Sequence, residues 1–168
     1  MLASIGVGFW SFFERDPAAK NSIFLLHFWI GLTTAIGILL VHCLVFTYFL
    51  GTGRWVKEVT LAYDMPDVPY HKETRELKRS TFPPALLAML VAIATAFAGA
   101  GAQLQEWTWH VHAGLAFLTL VVNLLAFRIE HRNLGRNVRV IQGVLEEVDR
   151  LRAARGLQPN AEALQEGP

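Results

Sequence analysis

Residues 23–50, 84–102 and 107–127 are almost wholly apolar, and at about 1.5 Å of helix rise per residue each nearly matches or exceeds the roughly 30 Å hydrocarbon layer of a bilayer. This feature constrains the chain most, because a segment in lipid must satisfy its own backbone donors and acceptors, and a helix does so within itself. The composition agrees: 53% of the 168 residues are hydrophobic and 17% charged, more apolar and less charged than soluble chains. The expected fold is an all-α integral membrane protein, with three transmembrane helices followed by a C-terminal cytoplasmic amphipathic helix.

The flanks set the boundaries. Asp16-Pro17 supplies an N-cap and a first-turn proline for the first span. Residues 103–107 are too few to join the second and third spans except as an antiparallel hairpin. Leu2 to Phe13 is apolar but too short to cross, and it lacks the basic start of a secretory signal; residues 1–20 are therefore expected as an interfacial segment on the periplasmic side, with a cleaved signal as the alternative. Residues 21–128 form the transmembrane domain, 129–156 the amphipathic helix and 157–168 a disordered tail. A single cysteine, Cys43, leaves no intramolecular disulfide to indicate a redox compartment.

Charge placement orients the chain. Arg54, Lys57, Lys72, Arg75, Lys78 and Arg79 precede the second span, whereas Arg128, Arg132, Arg136, Arg139, Arg150, Arg152 and Arg155 follow the third. Only Arg15 and Lys20 fall on the other side, so the positive-inside rule predicts a multi-pass inner-membrane protein with its N-terminus outside and its C-terminus in the cytoplasm. Trp107 and Trp109 at one end and Trp55 at the other fit interfacial aromatic belts.

Small and polar residues mark the helix faces that meet protein rather than lipid. Ala88, Ala92, Ala96 and Ala100 recur every four residues on the second span; His112, Ala116, Thr119 and Asn123 share a face of the third; and His27, Gly31, Thr34, Ala35, Ile38 and His42 fall on one face of the first. His110 lies about 200° around the helix from His112, so the two cannot face the same interior. Beyond the third span, Leu134, Val138, Ile141, Leu145 and Val148 form a seam over two heptads long. HKETRELKRS, residues 71–80, reads as a short surface helix ahead of Pro83-Pro84.

Polar side chains at membrane depth are candidate functional groups. The first and third spans run in the same sense, placing His27 about 14 Å and His112 about 9 Å above the midplane, with His42 about 9 Å below it. His27 and His112 thus share an outer level where two facing imidazoles can hold a b-type haem, with Gly31 and Gly114 beside them giving room. His110 and His42 are the alternates. An interhelical hydrogen bond accounts for any of these residues without a cofactor. Glu106, His110 and His112 make a poor copper or zinc cluster, since opposite helix faces do not converge on one ion.

No phosphate loop, zincin motif or nucleophile elbow is present, so no catalytic residue is assigned. Nucleic acid is not an expected partner, because topology accounts for the basic residues. The first functional reading is an accessory, anchoring or assembly subunit of a larger membrane complex, meeting a protein partner or a second copy through its small-residue faces and the 134–151 helix. The alternative is a b-type cytochrome subunit carrying one bis-histidine haem near the outer side and exchanging electrons with quinone.

Overall fold

The computed structural model describes residues 1–104 and 106–160. Among these residues are the helices α1 (Leu2–Phe13), α2 (Pro17–Ala62), α3 (Tyr70–Gln103) and α4 (Trp109–Ala154). The last three are long and apolar enough to cross a membrane, and α1 is not. Asp16 caps α2, its Oδ1 accepting from the Ala18 amide at 3.0 Å, and Pro17 takes the first helical position, where its missing N–H costs nothing. At the other end Asp64 adopts φ 55° and the Met65 amide returns to Thr60 O at 2.8 Å, satisfying a terminal carbonyl. Gly156, at φ 70°, closes α4 in the same manner, with the Leu157 amide reaching Arg152 O at 3.0 Å. Beyond it, Arg152 Nε donates to Gln158 O and the Asn160 amide to Asp149 Oδ1, each at 2.8 Å; the rest of the expected tail, 161–168, lies outside the described residues.

Two expected breaks are absent. Residues 71–80 are not a separate surface helix, because α3 continues through Pro83 and Pro84. Each proline removes a main-chain donor, and neighbouring hydroxyls add bonds at this point: Ser80 Oγ and Thr81 Oγ1 both donate to Leu77 O, at 3.0 and 2.7 Å. Likewise the expected C-terminal amphipathic helix is not an element of its own, since residues 129–154 are the second half of α4. Gly135 and Gly143 weaken that stretch without ending it, as an interior glycine costs only about 1 kcal/mol.

The chain forms two compact units. Met1–Leu44 and Pro83–Arg128 make the first, and Val45–Phe82 with the chain from Ile129 onward make the second. Within the first, α3 buries Ala85, Ala88, Ala92 and Ala98, at steps of three, four and six residues. The every-fourth row read from the sequence winds about 40° around the helix at each step. Ala96 and Ala100 are accordingly exposed, and they line an apolar groove of about 360 Å³ with Leu32, Ala35, Ile36 and Leu39 of α2.

The second unit packs Val45, Phe49, Leu77 and Val140 in one cluster and Val56, Val144 and Val148 in another. Its α4 face is therefore Asn133, Asn137, Val140, Val144 and Val148, while Val138 and Leu145 of the expected seam are 46% and 38% exposed. The seam was displaced because asparagine counts as polar in a hydropathy pattern, yet both asparagines are buried here. Asn133 Nδ2 donates to Ser80 Oγ and Thr81 Oγ1, and Asn137 Nδ2 to Tyr48 Oη and Thr52 Oγ1. Each amide spends both N–H groups on hydroxyls, which leaves the two Oδ1 atoms buried without a partner among the described residues.

Candidate functional site

α2 and α4 bring His27 and His112 together inside the first unit. Their ring centres are 6.0 Å apart and their planes 83° from parallel. Both rings are half-buried. His27 Nδ1 lies 3.0 Å from Ser4 O on α1, and His112 Nδ1 lies 3.0 Å from Thr95 O on α3. A carbonyl oxygen can only accept, so in each ring Nδ1 carries a proton, and in the neutral form of such a ring Nε2 keeps the lone pair. Neutral imidazoles with Nδ1 tied to main chain are the form in which histidine ligates a metal.

Glycine seats each ring. A Cβ added to Gly8 would stand 2.9 Å from His27 Cε1, and one added to Gly99 would stand 2.9 Å from His112 Cε1. The two seats follow one pattern: Ser4 and Gly8 are four residues apart on α1, Thr95 and Gly99 four apart on α3. That spacing puts the accepting carbonyl and the glycine one turn apart on the same helix face, so the imidazole lies flat along the turn while donating to it.

The sequence named His27 and His112 but not what seats them. Gly31 and Gly114, expected to give room beside the imidazoles, do not touch them: an added Cβ at Gly31 would meet Ser4 Oγ at 3.4 Å, and Gly114 faces open space. Ser-x-x-x-Gly and Thr-x-x-x-Gly in apolar helices were the available signals, and neither shows which imidazole it will receive. α1, expected as an interfacial segment, supplies one of the two carbonyls. Rings fasten it to α4, Phe9 against Phe117 at 6.2 Å and Phe12 against Trp109 at 4.7 Å between centroids.

Both alternates stand apart from this arrangement. His110 is exposed and stacked on Trp109, 3.8 Å between ring centres. His42 is fully buried; its Nε2 donates to Asn123 Oδ1 at 3.2 Å, Asn123 Nδ2 donates to Thr119 O at 2.9 Å, and the imidazole stacks on Phe127 at 5.1 Å. With Nε2 spent on a side-chain amide, His42 serves as an interhelical tie. Such bonds contribute about 0.6–2 kcal/mol between membrane helices.

The donor set suits one kind of ion. Among the described residues no group of three or more His, Cys, Asp or Glu converges, so the Glu106, His110 and His112 combination does not form and a protein-only zinc or copper cage lacks ligands. Two imidazole nitrogens leave the remaining positions to something other than protein, as in a haem held by axial histidines. Metal–nitrogen bonds of about 2.0–2.1 Å place the centres of two opposed imidazoles roughly 6 Å apart, which is the separation observed. Gly8 and Gly99 keep the flanks of the pair free of side chains. On these grounds the residues present fit the group.

Comparison of the chain with protein-family models, with curated proteins and with solved structures gives no match.

Proposed function

We propose that this chain is a b-type cytochrome subunit of an inner membrane, holding one haem between His27 and His112 near the outer side and exchanging electrons with a lipid-soluble quinone. The observation that carries the reading is the pair of imidazoles 6.0 Å apart, each with its Nδ1 on a main-chain carbonyl.

Haem supplies a one-electron couple when bound. The chain's part is to present two neutral Nε2 lone pairs in fixed orientation, which the Ser4 and Thr95 carbonyls do by holding the opposite nitrogen. Those hydrogen bonds also raise ligand basicity. Gly8 and Gly99 remove the side chains that would crowd the imidazoles. His42, tied to Asn123, holds α2 against α4 deeper in the same unit.

The orientation is supported by charge: of the 15 lysines and arginines, all but Arg15, Lys20 and Arg128 belong to the second unit. The positive-inside rule then assigns the second unit to the cytoplasm and the N-terminus to the periplasm. A second reading, an anchoring or assembly subunit, draws on Val138 and Leu145, two apolar residues left exposed on α4 of the second unit. The lipid bilayer is a partner in both.

An absorption spectrum separates the readings. Protein purified from haem-replete cells and reduced with dithionite should show a Soret band and a sharp alpha band. His27→Ala and His112→Ala should each abolish that spectrum, and His42→Ala should retain it. A colourless but folded preparation excludes the cytochrome.

A further inference from the structure

Among the described residues, one seat carries a fastening that the other lacks. Thr95 Oγ1 lies 2.8 Å from Val91 O on its own helix and 3.1 Å from Leu115 O on α4, and 2.6 Å from Thr119 Oγ1. Thr95 has one hydroxyl proton and both carbonyls can only accept, so that proton is shared between them and Thr119 is the donor of the third bond. Leu115 and Thr119 follow His112 by three and seven residues, on the face of α4 that carries the imidazole. Thr119 is buried and Thr95 half-buried. A single residue thus grips α4 with its side chain while its own carbonyl takes the Nδ1–H of His112. The backbone of Thr95 cannot shift along α4 without breaking these contacts.

We propose that Thr95 is a positioning residue, which through Leu115 O and Thr119 locks the His112 plane nearly perpendicular to that of His27. This rests on the haem reading above and assigns the site a specific electronic consequence. Axial imidazoles in parallel planes split the pair of iron orbitals with which their π systems overlap, whereas perpendicular planes leave that pair nearly degenerate. Low-spin ferric iron between crossed imidazoles gives a strongly anisotropic electron paramagnetic resonance signal in place of the ordinary rhombic one. The 83° angle assigns this chain to the crossed class.

The test uses the full chain, expressed with haem and oxidised in lipid nanodiscs. Wild type should give the strongly anisotropic signal. Thr95→Val preserves volume and β-branching but loses the grip on α4; it should keep the bis-histidine optical spectrum while its resonance shifts toward the rhombic form, and Thr95→Ser should restore the original signal. Should the valine variant fail to fold, Thr119→Val removes one of the two contacts that Thr95 makes with α4, leaving Leu115 O, and should shift the signal in the same direction. A rhombic signal from wild type, or an unchanged one from both valine variants, overturns the positioning role while the optical spectrum still supports a bis-histidine cytochrome. Folded wild type without haem overturns both.

Discussion

His27 and His112 are seated alike and supported unequally. Each donates Nδ1–H to a carbonyl and lies along a glycine one turn away. The His112 seat, however, is part of the 34-residue α3, pinned to α4 by Thr95 and flanked by the buried Ala92 and Ala98. The His27 seat is on the 12-residue α1, whose Leu2, Trp10 and Phe13 are 72%, 55% and 72% exposed. A short helix with little buried apolar area has little to hold it beyond specific contacts. Equivalent chemistry at two ligands therefore does not imply equivalent tolerance, and the difference between the seats can be tested.

The largest effect is expected at the glycines. Gly99→Val drives carbon into the His112 ring on a helix that cannot retreat, a crowding cost of about 1–3 kcal/mol, or roughly 5- to 150-fold weaker haem binding on titration of the apoprotein. Gly8→Val makes the same clash on a helix that can move aside, so its loss should be smaller; equal losses would erase the distinction between the seats. Next is Asn123→Ala, which removes the interhelical bond of His42 at a cost of about 0.6–2 kcal/mol. It should lower the denaturation midpoint while leaving the haem spectrum intact, and a bleached variant would mean that His42 belongs to the site. Phe12→Ala removes the ring contact with Trp109, worth about 0.5–1.5 kcal/mol. Amide exchange should speed up across residues 2–13 and stay unchanged at 95–99; acceleration in both segments would show one mechanical body rather than two.

The smallest effect serves as a control, in the second unit. Burial pushes the Asp67 carboxyl up, but hydrogen bonds and charge from Arg75 and His71 outweigh it and hold the group below the usual carboxylate range. Arg75 reaches it at 2.8 Å and His71 at 3.0 Å. A depressed carboxyl stabilises the fold at neutral pH and loses that contribution as pH falls from its unfolded-state value through its folded one. Thermal stability should decline slightly over that window, the decline should vanish in Asp67→Asn, and the haem spectrum should not follow it.

Local features of this chain are legible in its sequence, and long-range ones are not. Span number, the Asp16-Pro17 start of α2 and the Gly156 end of α4 follow from local chemistry, because hydropathy, capping and backbone conformation depend on neighbours in the chain. The common level of His27 and His112 follows from counting along two helices of the same sense. Faces were less secure: a row taken every four residues put Ala96 and Ala100 inside, and a hydropathy pattern passed over Asn133 and Asn137, since a buried amide is revealed only by the hydroxyls it meets.

By itself the sequence determined that three helices are long and apolar enough to cross a membrane and that imidazoles from two of them fall within about 5 Å of one height, because rise per residue and side-chain polarity are properties of the chain alone. The tertiary structure decided which nitrogen of each imidazole is left free, that α1 contributes a carbonyl to the pair, and that His42 is occupied by Asn123. These are contacts between residues 17 to 81 positions apart. A hydrogen bond over such a separation depends on how helices rotate and slide against one another, and only packing settles that.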